Sequence, residues 1–113
     1  MNLGRQVLEG VTIVSVGEPL EVDVGNAEDF KEAALRAMGD DQTVILDASF
    51  IDFFDSAGMG ALLSLQKRVA QKQGTLALAG LNRAVQDVFR MVGFDVVFVT
   101  YPDVAQAISA LKR

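Results

Sequence analysis

Apolar positions along this chain recur first every second residue and then every three or four. The change of period predicts strands leading into helices. Gln6-Val7-Leu8 and Val11 to Val16 are β-rich runs parted by Glu9-Gly10, a dipeptide suited to a two-residue hairpin turn. Gly17 breaks the second run, and Pro19 to Val24 reads as a third strand, with Leu20, Val22 and Val24 alternating against Glu21 and Asp23. The period then lengthens. Ala27, Phe30, Ala34, Ala37 and Met38 recur at helical spacing behind Asn26, a good N-cap with Asp29 three residues on, and Gly39 stops the run.

Thr43 to Ala48 is nearly continuously apolar, as expected of a strand covered on both faces. Ser49 to Asp55 reads as an acidic, aromatic loop. A helix follows from about Ala57 to Gln73, with Met59, Leu62, Leu63, Leu65 and Val69 on its inner stripe and Gly74 after it. Thr75 to Ala79 is another strand, ended by Gly80. Asn82 caps a helix with the stripe Val85, Val88, Phe89 and Val92, stopped by Gly93. Val96 to Val99 reads as a last strand, and Thr100 with Asp103 as a capping box before a closing helix carrying Val104, Ala107, Ile108 and Leu111. The predicted order is β-β-β-α-β-α-β-α-β-α, an α/β fold with a single mixed sheet packed by helices. Functional loops in such sheets lie at the carboxyl ends of strands, here Asp23 to Asn26, Ser49 to Gly58 and Gly80 to Arg83.

Composition narrows what those loops can do. With 113 residues, half of them hydrophobic, residues 1–113 are expected to form one domain. The net charge of −5 and scattered Lys and Arg disfavour nucleic acid as a direct partner. Without Cys there are no disulfides or thiolate chemistry, and without His there is no Ser-His triad. No apolar run approaches the roughly 18 residues needed for membrane insertion, and the first residues lack a signal-peptide core, so a cytoplasmic location is expected. No phosphate-cradling glycine motif is present, and no cofactor is expected.

Ser56 is the hydroxyl beside the start of the long central helix. It reads as a plain N-cap or as a phosphoryl acceptor, where helix N–H groups would meet the added charge. Asp47, Asp52 and Asp55 invite a magnesium-dependent hydrolase reading, but their spacing matches no ligand motif. Phe50, Phe53 and Phe54 crowd one loop. Alternation sends the last two in opposite directions, so one of them is a candidate partner anchor. Gly58 and Gly60 sit early in the helix, where close packing on the sheet or approach by a partner would explain them.

Leu46-Asp47-Ala48-Ser49, and then Phe53-Phe54-Asp55-Ser56-Ala57-Gly58-Met59-Gly60-Ala61-Leu62-Leu63, resembles the STAS-domain signature without a gap. Gly74-Thr75-Leu76, Ala84 to Phe89, Val92-Gly93-Phe94 and the Asp103-to-Leu111 helix also look like that family, which includes anti-sigma factor antagonists of the SpoIIAA type. The resemblance implies a non-enzymatic protein that binds an anti-sigma factor acting also as a serine kinase. It implies Ser56 as the phosphorylation site, release on phosphorylation, and resetting by a PP2C-type phosphatase. The implied partner-binding positions are Asp23, Asn26, Phe54, Asp55, Ser56, Ala57, Gly58, Met59 and Leu62. Three features depart from the pattern: Ala57 stands where a second Ser is common, Phe50 replaces a usual small residue, and Glu18 to Asp23 is longer than usual. These departures keep a second expectation in play, a constitutive STAS scaffold subunit of a signalling or transport complex.

Overall fold

The computed structural model describes residues 1–112. The chain starts with a hairpin of β1 (Gly4–Leu8) and β2 (Val11–Ser15), whose turn residues Glu9 and Gly10 both take positive φ, as the expected two-residue turn requires. β4 (Thr43–Asp47), β6 (Thr75–Ala79) and β7 (Val99–Tyr101) then join β2 in parallel, giving the order β1-β2-β4-β6-β7. This is the expected mixed sheet.

Alternation along these strands divides the core into two layers. Val14, Val44, Leu46, Leu76 and Leu78 face α1 (Ala27–Met38), α2 (Ser56–Gln71) and α3 (Arg83–Val92). Val11, Ile13, Ile45, Ala77 and Ala79 face α5 (Val104–Leu111), which buries Ala107 against them. The first three crossovers step one way along the sheet, so their helices share a face; the closing helix returns across the other.

The ladders extend beyond this sheet. Within the stretch expected to be loop, β5 (Ile51–Phe54) pairs in parallel with β3 (Leu20–Val22), forming a separate two-stranded ladder. β3 is shorter than its predicted span, and Val24 stands 83% exposed, because the chain turns away after Val22. The predicted strand Val96 to Val99 is also corrected. Phe94–Val97 form a helical turn, α4, which brings Phe94 and Phe98 onto Phe89 at ring-centroid distances of 5.2 and 6.3 Å. Strand β7 starts only at Val99 and takes in Thr100, so Asp103 alone caps α5 by accepting from the Gln106 N–H.

The far end of the sheet is tied by one polar cluster. Asp41 accepts from Thr12 Oγ1 at 2.5 Å and pairs with Arg5 at 2.8 Å, while Arg5 also donates to the Ala37 carbonyl. The hairpin is thereby fastened to the link between α1 and β4.

Candidate functional site

The start of α2 is fixed by Asp55. Its Oδ1 accepts from the Gly58 N–H at 2.9 Å, which makes Asp55 the N-cap and places Ser56 at the first helical position. Ser56 therefore does not cap the helix. Its side chain is exposed, and among the described residues its hydroxyl has no protein hydrogen-bond partner. The N–H groups of Ser56 and Ala57 belong to the first turn and have no acceptor four residues back.

The second oxygen of the same carboxylate reaches another loop. Asp55 Oδ2 accepts from the Val24 N–H at 3.0 Å, and the Asp55 N–H donates to the Val22 carbonyl at 3.0 Å. The chain between β3 and α1 is thus held against the beginning of α2. Within that loop Asn26 occupies the N-cap position of α1, but its side chain turns backwards rather than capping. Its Oδ1 accepts from the Asp23 N–H at 2.9 Å, and its Nδ2 donates to the Glu21 carbonyl at 2.8 Å. Asp23 in turn accepts from the Gly25 N–H. The loop is built from its own short side chains, an arrangement these residue types favour in turns.

Packing explains why α2 can start so close to β3. A Cβ built on Gly58 would lie 2.3 Å from the Val22 carbonyl oxygen, so close packing accounts for this glycine. Gly60 faces open space, and nothing in the structure explains it.

The expected partner-contact residues divide by depth. Asp23, Asn26, Asp55, Ala57 and Met59 are partly accessible, and Ser56 is exposed. Phe54, Gly58 and Leu62 are buried, which corrects their expected place on a contact surface: they support the site from beneath. Phe54 is 2% exposed and links Phe30 to Phe89, with ring centroids 6.4 and 6.2 Å apart. Phe50 and Phe53 are instead 50% and 39% exposed.

The carboxylates of Asp47 and Asp55 are each held by protein hydrogen bonds. Asp47 Oδ1 accepts from both the N–H and the hydroxyl of Ser49, in a turn that ends β4. Asp55 is engaged as described, and among the described residues no group of three acidic side chains is arranged to hold a metal ion. No helix among them is long and apolar enough to cross a membrane.

Residues 3–107 match the family model described as STAS domain. An anti-sigma factor antagonist of Bordetella bronchiseptica, BtrV, is 36% identical over 114 residues, covering 99% of this chain and 96% of that protein. The crystal structure of an anti-sigma factor antagonist from Thermotoga maritima superimposes with a TM-score of 0.86 at 21% identity, covering 98% of this chain and 95% of that one. The Bacillus cell fate determinant SpoIIAA in its phosphorylated form superimposes with a TM-score of 0.67 at 18% identity, covering 97% of this chain and 99% of that one. The two solved structures are similar in fold.

Proposed function

Because this chain belongs to the STAS domain family, we propose that it is an anti-sigma factor antagonist controlled by phosphorylation at Ser56. Unphosphorylated, it binds an anti-sigma factor that is also a serine kinase, and so frees a sigma factor for transcription in the cytoplasm. The observation that carries this reading is the exposed Ser56 hydroxyl, without a hydrogen-bond partner among the described residues, at the first turn of α2, with helix capping already supplied by Asp55.

In the transfer step the Ser56 Oγ attacks the γ-phosphorus of ATP held by the kinase. The new Oγ–P bond forms as the bond to the bridging oxygen of ADP breaks, and the hydroxyl proton passes to a base of the kinase. The phosphoserine, carrying about −1.5 to −2 charges, then faces the phosphates of ADP across the interface. Like charges at short range favour release. A PP2C-type phosphatase removes the group and resets the protein. Asp23, Asn26, Asp55, Ala57 and Met59 frame the contact around Ser56.

The test is incubation with the kinase-type anti-sigma factors of the source organism and ATP, followed by mass spectrometry. A single phosphate on Ser56 is expected, and an active kinase that leaves Ser56 unmodified would overturn the reading. Ser56→Asp should weaken binding while Ser56→Ala should not. Equal binding by both variants would favour the constitutive scaffold.

A further inference from the structure

The ladder between β3 and β5 is out of step by one residue. Leu20 pairs with Ile51, but Glu21 pairs with Phe53, so one step on β3 faces two on β5. Such a bulge interrupts alternation and re-aims side chains. Here it lets Ile51 and Phe54 both enter the core while Asp52 and Phe53 both stay outside. Phe50 sits at the other end of the same ladder, where its carbonyl accepts from the Leu20 N–H at 2.9 Å.

Of the seven Phe residues, five form one connected chain of rings in the core. Phe50 and Phe53 are the two left out, and they lie along the same ladder: Phe50 beside Leu20 at its start, and Phe53 opposite Glu21, one residue before Val22, whose carbonyl accepts from the Asp55 N–H. Exposed aromatic rings supply large contact area at little cost in side-chain entropy, and they dominate binding where they fill a pocket.

Charge identifies the occupant. There is no Lys or Arg between Arg5 and Lys31, or between Arg36 and Lys67. Those two stretches contribute β3, the Asp23–Asn26 loop, β5 and the first half of α2, and near the rings they carry Glu21, Asp52 and Asp55. Arg83 follows Asn82, whose side chain donates to the Asp52 carbonyl, but its guanidinium is turned to Asp87. A second copy of this chain would bring the same acids against themselves, and a phosphate backbone would be repelled.

We propose that Phe53, with Phe50 at the other end of the same ladder, anchors a protein partner that presents an apolar pocket rimmed by Lys and Arg. The proposal rests on the partner-switching reading and adds what selects the partner. The phosphoryl group governs release, whereas the aromatic pair and its acidic rim govern which anti-sigma factor is recognised.

The experiment titrates recombinant kinase-type anti-sigma factors of the source organism against the wild-type chain, Phe53→Ala, Phe50→Ala, Phe53→Leu, and a Glu21→Gln/Asp52→Asn pair. Phe53→Ala should weaken binding by about 30-fold or more and Phe50→Ala by about 5-fold or more, while Phe53→Leu stays within a few-fold of wild type. The charge pair should slow association and flatten its salt dependence. Unchanged circular dichroism and melting separate loss of binding from loss of fold. If wild type binds and the Phe53 and Phe50 variants bind within twofold of it, the anchor is overturned and the switch stands. If wild type binds none of the anti-sigma factors, the switch itself falls, and the anchor with it. A wild-type dimer that Phe53→Ala dissociates would assign the surface to a second copy and overturn the proposal.

Discussion

Asp55 holds Val24: one carboxylate oxygen accepts the Val24 N–H at 3.0 Å while the other caps α2 through Gly58. A single side chain therefore joins the β3–α1 loop to the helix that begins with Ser56. Asp55→Ala should lower stability by about 1–2 kcal/mol, since it removes a cap and an inter-loop bond together. Chemical denaturation measures the loss. Ser56→Ala should leave stability within about 0.5 kcal/mol of wild type, because the cap is next door.

Gly58 and Gly60 are expected to respond with opposite signs. Gly58→Ala drives a methyl group into the Val22 carbonyl and should cost about 1–3 kcal/mol despite the better helix propensity of Ala. Gly60→Ala places the same group in open space on the same helix and should stabilise by about 0.5–1 kcal/mol. Melting curves of the two variants distinguish steric contact from intrinsic propensity.

The neighbouring rings also part company. Phe54→Ala empties the centre of the aromatic chain and should cost about 3–5 kcal/mol, whereas Phe53→Ala should cost less than about 1 kcal/mol. Comparable losses in urea denaturation would contradict the register of β5.

Acid sensitivity should arise in part at the opposite end of the sheet. The hydrogen bond from Thr12 and the adjoining Arg5 hold the Asp41 carboxyl below its ordinary value of 3.8 against the opposing effect of desolvation. A carboxylate with a lowered folded pKa binds its proton more readily when unfolded. Its contribution is present above about pH 3.8 and is lost as pH falls through the lower folded value. The side chain is 36% exposed, so solvent and salt reduce the effect. Asp41→Asn should shrink the fall in denaturation midpoint below about pH 4, and a fall as steep as wild type would remove Asp41 from the account.

Periodicity was enough for the hairpin, the parallel strands β4 and β6 and the Asn82 and Asp103 helix starts, because each is specified by local turn chemistry or by an apolar run bounded by turn residues. It failed at β5, where the bulge leaves Ile51 and Phe54 inside at a spacing of three and mimics no strand. It failed again at Val96 and Val97, whose β-branched side chains suggested a strand. The decisive signal there was Phe94 and Phe98, four apart and both packed on Phe89. The Ser56 position was readable from motif and resemblance. That Asp55 rather than Ser56 caps the helix, and that Asn26 bonds backwards, depended on tertiary contacts with β3 and its loop.

The extra residue in β5 has a bearing on how such a surface can diversify. It lies between two buried positions, Ile51 and Phe54, and lets both face inward with two exposed residues between them. Loss of one residue there would restore strict alternation between the two buried positions and leave one protruding side chain where there are now two. Strand length, and not only side-chain identity, then sets how many side chains the β3–β5 ladder turns outward.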